Sequence, residues 1–117
     1  MDYRFINTEY IESVSGGDHG IILELVNMFD EQMAEIAQEM KKLLKNKEFN
    51  TLGSLAHKAK SSVAIMGMND LASMLKQFEL LTKDSKETEE YGIYISRFEQ
   101  DTRGAVEELE DYVKKFK

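Results

Sequence analysis

The chain contains no cysteine. That removes a disulfide framework and thiolate metal sites, and it fits a reducing compartment. Proline is absent too, so nothing of that kind interrupts a helix interior. Apolar runs stop at three to four residues, far short of the roughly 20 needed to span a membrane. No direct membrane contact is therefore expected. No basic segment followed by an apolar one opens the chain, so no signal peptide is expected and a cytoplasmic location is. Positive charge is the minority sign: 15 Lys and Arg stand against 22 Asp and Glu, a formal net charge of −7. A general basic surface for nucleic acid is excluded on that balance.

What the chain has in abundance is Leu, Met, Lys, Glu and Ala, a helix-forming mixture. In FINTEYIESVSGG, Asn7 or Thr8 can cap a short helix and Gly16-Gly17 can stop it, with Tyr10, Ile11 and Val14 as its apolar face. Asp18 is a good cap for a second helix, whose stripe is Ile22, Leu25, Val26, Phe29, Met33, Ile36, Met40, Leu43 and Leu44. A third helix is expected from about Thr51 to Met66, stopped by Gly67. Asn69 is a candidate cap for a fourth, carrying Leu71, Met74, Leu75, Phe78 and Leu81. After the polar stretch TKDSKETEE, a last helix repeats Tyr91, Ile95, Phe98, Thr102, Ala105, Leu109, Tyr112 and Phe116 in four-three spacing. The expectation is an all-α fold: an antiparallel up-down four-helix bundle with a short additional N-terminal helix. Residues 1–117 read as one domain, with no internal repeat, and the seams can be buried internally in a monomer.

The third helix is unusual on its outer side. Advancing about 100° per residue puts Leu52, Leu55, Ala56, Ala59, Ser62, Val63 and Met66 in one core sector. His57 then points away from that sector and should be exposed. Its neighbours three and four positions away are Gly53, Ser54, Lys60 and Ser61, with Ala64 beyond. Apart from Lys60 these are small, whereas the second helix shows Glu31, Glu35 and Gln38 on its solvated face. Gly53 even weakens a helix by about 1 kcal/mol relative to Ala. A bare ring around an imidazole suggests that another protein surface comes close to it.

Few chemistries fit one exposed histidine. There is no Gly-x-Ser-x-Gly nucleophile, no cysteine, and only two histidines for a metal. Neither His57 nor His19 follows a Glu by three residues, as bundle di-iron sites require. Gly16-Gly17 lacks the lysine and preceding strand of a nucleotide loop. No metal and no cofactor are expected. The imidazole remains as a nucleophile, with a phosphoryl group as its natural electrophile and Lys60 and Lys58 able to neutralise the phosphate. His19, beside Gly17 and Gly20, reads as an ordinary surface residue. If the chain turns at Gly67, residues near Gln77 to Glu79 lie level with His57. Glu79 then either accepts a hydrogen bond from one ring nitrogen or is a solvated surface carboxylate.

LAHKAKSSVAIMGMNDL resembles the signature of histidine-containing phosphotransfer (HPt) domains, at Ala56, His57, Lys60, Ser61, Ser62, Ala64, Gly67 and Met68. Ser61 stands where the family often has glycine. The resemblance implies a phosphorelay carrier rather than an autonomous kinase. His57 would accept a phosphoryl group from a receiver-domain aspartate and pass it to another receiver. Lys60 would stabilise the phosphate and Glu79 would orient the imidazole. The implied partners are response-regulator receiver domains and a hybrid sensor histidine kinase, membrane-anchored if this chain is one of its domains. Mg²⁺ would belong to the receiver alone. Ser54, Lys58, Ser61, Ala64 and Ile65 would form the docking face, although Ile65 could instead pack on a neighbouring helix. The alternative is a bundle that binds a signalling partner as scaffold or inhibitor and never carries phosphate. A sensor-kinase dimerisation hairpin would want an acidic residue after the histidine, where Lys58 stands.

Overall fold

A computed structural model describes residues 3–116. It contains α1 (Thr8–Ser15), α2 (His19–Lys45), α3 (Phe49–Ile65), α4 (Asn69–Lys83), a 3₁₀ turn (Thr88–Glu90) and α5 (Tyr91–Lys114), with no strand among the described residues. The molecule is a helical bundle, 46 Å long and about as wide as two helices. The 27 residues of α2 alone account for about 40 Å of that length.

Local chemistry sets the helix ends. The Asn7 side chain accepts from the Tyr10 N–H, and Asp18 Oδ1 accepts from the Ile21 N–H, both at 3.1 Å. These bonds satisfy amides that have no partner inside a helix. Gly67 takes the left-handed conformation (φ 75°) after α3, and the Met68 N–H returns to the Val63 carbonyl. Asn69 does not cap α4. It is the first residue of the helix, and Met68 occupies the cap position without a side-chain bond.

Helix α3 packs along α4, α2 against α5 and α3, and α4 against α5, so the four long helices enclose one core. Burying each large apolar side chain there contributes roughly 1.5–3 kcal/mol. Tyr91 is fully buried: its ring stands edge-on to Phe49 and Phe78, and its hydroxyl donates to the Leu81 carbonyl at 2.8 Å. This cluster ties the start of α3, the end of α4 and the start of α5 together, two turns from His57.

The short α1 packs on α2 and α3, and it buries Ile11 and Ser15. Tyr10 and Val14, expected on its apolar face, are exposed, because a two-turn helix lying on a bundle covers little more than its central contact. His19 lies on the surface as expected, and its ring stacks on Phe116 at 3.9 Å, bringing the start of α2 against the residues that follow α5. The segment before α1 is strapped down as well. The Arg4, Phe5 and Ile6 amides all donate to the Glu108 carboxylate at 2.8–3.1 Å, and the Asn7 amide donates to the Met66 carbonyl.

Candidate functional site

The site begins with the division of α3 into two sides. Leu52, Ala56, Ala59 and Val63 have no exposure, while the His57 side chain is 60% exposed. Small alanines at the buried positions let α3 lie close to its neighbours, and the helical twist turns the imidazole to the outside.

Glu79, on α4, meets that imidazole. Its Oε1 lies 3.1 Å from His57 Nδ1. A carboxylate can only accept, so Nδ1 carries the proton in this pair, and in the neutral ring the lone pair sits on Nε2. Two lysines approach the same carboxylate, Lys60 Nζ at 3.7 Å from Oε1 and Lys83 Nζ at 3.9 Å from Oε2. Desolvation pushes the Glu79 carboxyl upward. The hydrogen bond to His57 and the charges of His57, Lys60 and Lys83 outweigh it and hold the pKa below the ordinary value.

Lys83 is a member of this group that the motif did not reveal. Its position four residues after Glu79 on one helix was the available signal. A hollow of about 270 Å³ opens beside the ring, lined by Asn50, Gly53, Ser54, His57, Glu79 and Lys83. The arrangement supplies an exposed nucleophilic nitrogen, a carboxylate that fixes the other nitrogen, and two cations within reach of an incoming anion.

Comparison with protein families matches residues 24–115 to the Hpt domain. The chain belongs to the Hpt domain family. No curated protein and no solved structure gives a significant match. Hpt domains are phosphocarrier modules of phosphorelays rather than conventional enzymes, and they interact with receiver domains.

In this Hpt domain Ser54, Lys58, Ser61 and Ile65 are exposed and Ala64 is half-buried. Ile65 therefore faces solvent rather than packing on a neighbouring helix. The Ser54 hydroxyl is turned back to the Asn50 carbonyl. Lys58 lies toward α2, along a hollow shared with Leu55, Glu35, Ile36, Glu39 and Lys42, whereas Lys60 lies toward α4. The two lysines thus flank His57 on opposite sides. Gly53 departs from the expectation of a bare outer ring: it is buried, because α4 covers that flank of α3. Among the described residues no three His, Cys, Asp or Glu side chains cluster as metal ligands, and no helix is long and apolar enough to cross a membrane.

Proposed function

We propose that this Hpt domain carries a phosphoryl group on His57, taken from a receiver-domain aspartyl phosphate and passed to a second receiver. The observation that carries this reading is the exposed imidazole whose Nδ1 is engaged by Glu79. With Nδ1 protonated, the Nε2 lone pair attacks phosphorus while the bond from phosphorus to the aspartate oxygen breaks and the carboxylate leaves. Positive charge develops on the ring, and Glu79, held ionised, stabilises it at Nδ1–H. Lys60 is close enough to turn from Glu79 to the phosphoryl oxygens, and transfer to the second receiver reverses the step. The carrier needs no cofactor of its own; Mg²⁺ belongs to the receiver.

The rest of the reading is an up-down antiparallel bundle acting as a monomeric single domain. Short connections such as 66–68 favour antiparallel neighbours. Ser54, Lys58, Ser61, Ala64 and Ile65 form the surface on which the receiver closes, in the cytoplasm. Such an arrangement serves a free carrier and a domain of a hybrid sensor kinase equally.

The test is incubation with phosphorylated receiver domains. Acid-labile label should move to this chain, and His57→Gln should abolish it while leaving helicity and melting unchanged. Label retained by the Gln variant would overturn the assignment. A complex that forms without phosphohistidine would instead make the chain a binding scaffold.

A further inference from the structure

Gly53 sits in the interior of α3, one turn before His57, with ordinary helical backbone and a buried position. No left-handed conformation requires glycine there, and glycine costs about 1 kcal/mol relative to alanine in a helix interior. What requires it is space. A Cβ at position 53 would run into Thr82 Oγ1, closer than a Cβ approaches any non-bonded heavy atom, with Thr82 Cβ at 3.4 Å and the Glu79 carbonyl oxygen at 3.7 Å. Thr82 cannot easily turn away. It is fully buried, and its hydroxyl donates to the Glu79 carbonyl at 2.8 Å.

The two contacts are consecutive rungs between α3 and α4. Gly53 precedes His57 by one turn, and Glu79 precedes Thr82 by one turn. The distance between packed helix axes depends on the side chains at the contact, over roughly 8–10 Å. At this rung the contact is a hydroxyl against a bare Cα. One rung along, Glu79 reaches His57 with a bond of 3.1 Å, which would be lost if the helices moved apart by even about half an ångström, since N–H···O bonds run about 2.7–3.2 Å.

We propose that Gly53 and Thr82 are positioning residues for the phosphoacceptor: their close contact sets the α3–α4 spacing that lets Glu79 hold His57 Nδ1. They touch neither phosphate nor partner and act through Glu79. This rests on the reading of His57 as the nucleophile, but the geometry itself can be tested without any phosphotransfer.

The experiment compares the full chain with Gly53→Ala, Gly53→Ala/Thr82→Ala, Glu79→Ala and Gly53→Ala/Glu79→Ala. One readout is the ¹⁵N shifts of the His57 ring, which report which nitrogen carries the proton. The other is the rate of His57 labelling by phosphoramidate, a small phosphodonor that transfers its phosphoryl group with release of ammonia and needs no receiver. Gly53→Ala should shift the proton away from Nδ1 and slow labelling on the order of tenfold, as a displacement approaching 1 Å can. Removing the Thr82 hydroxyl and methyl in the same chain should restore most of both. Adding Gly53→Ala to Glu79→Ala should change nothing further. A wild-type proton position in Gly53→Ala, or an equal loss in the Glu79→Ala background, would overturn the proposal. If Gly53→Ala does not fold, the double variant decides: folding with Nδ1 protonated supports the steric pairing, and failure to fold refutes it. Absence of label from phosphorylated receivers in the wild type, with the ¹⁵N shifts as expected, would refute the phosphoacceptor reading and leave the geometric one standing.

Discussion

Glu79 Oε1 lies 3.1 Å from His57 Nδ1 across the α3–α4 interface, and the same carboxylate draws Lys60 and Lys83 to within 4 Å. One acid on a second helix therefore holds the imidazole and gathers the cations beside it.

The pH dependence of that group follows from its lowered pKa. An acid depressed in the folded state stabilises fully above its unfolded value, about 4.3 for glutamate, and loses that contribution as pH falls through the lower folded value. Thermal unfolding of wild type and Glu79→Gln should differ by about 1 kcal/mol or less at pH 6, because the pairs around Glu79 are partly solvated. The gap should close as pH falls below the unfolded glutamate value. A gap that widens on acidification would contradict the geometry.

Asp30 behaves in the opposite sense. Burial, and secondarily Glu110, push its carboxyl up to about 6, and its Oδ1 is buried without a partner. A raised folded pKa means that stability is greatest with the acid protonated and falls as pH rises from about 4 to about 6. Asp30→Asn should therefore stabilise the domain by about 1–2 kcal/mol at pH 7.5 and by little at pH 4. Urea unfolding at the two pH values measures the difference.

Glu108 is the clamp of the N-terminal strap. Its carboxylate takes three successive amide protons, from Arg4, Phe5 and Ile6. Glu108→Ala should speed hydrogen exchange at these amides and lower stability by about 1–2 kcal/mol. Exchange at Leu109 and Ala105, in the interior of α5, should change only by the global loss.

Removing one oxygen at Tyr91 tests the aromatic cluster. Tyr91→Phe keeps both edge-on ring contacts but leaves the Leu81 carbonyl without its 2.8 Å donor. The Lys86 N–H still donates to that carbonyl at 3.0 Å, so the loss is that of one ordinary hydrogen bond, about 0.5–1.5 kcal/mol. An unchanged urea midpoint would show that water replaces the hydroxyl.

Several features were legible because they depend on residues near one another in the chain. The stripes of α2, α4 and α5 repeat every three or four residues, and that period alone says which side is buried. Asp18 and Gly67 act through bonds to residues at most four positions away. Asn69 failed as a cap because Met68 already occupied that position, a difference of one residue that sequence preference does not resolve. Equal counting on either side of Gly67 put Gln77 to Glu79 level with His57, but counting cannot say which of them points inward.

The sequence by itself determined that the chain forms amphipathic helices, that His57 lies outside the apolar stripe of α3, and that the surrounding motif is that of an Hpt domain. Only the tertiary structure decided which helix covers each flank. That is why Gly53 turned out to lie beneath Thr82 rather than on an open surface, why Lys83 joined Lys60 at Glu79, and why His19 met Phe116. Periodicity reports the direction of the core for one helix at a time. The distance between two helices depends on pairs of side chains far apart in sequence, and that distance governs whether Glu79 reaches His57.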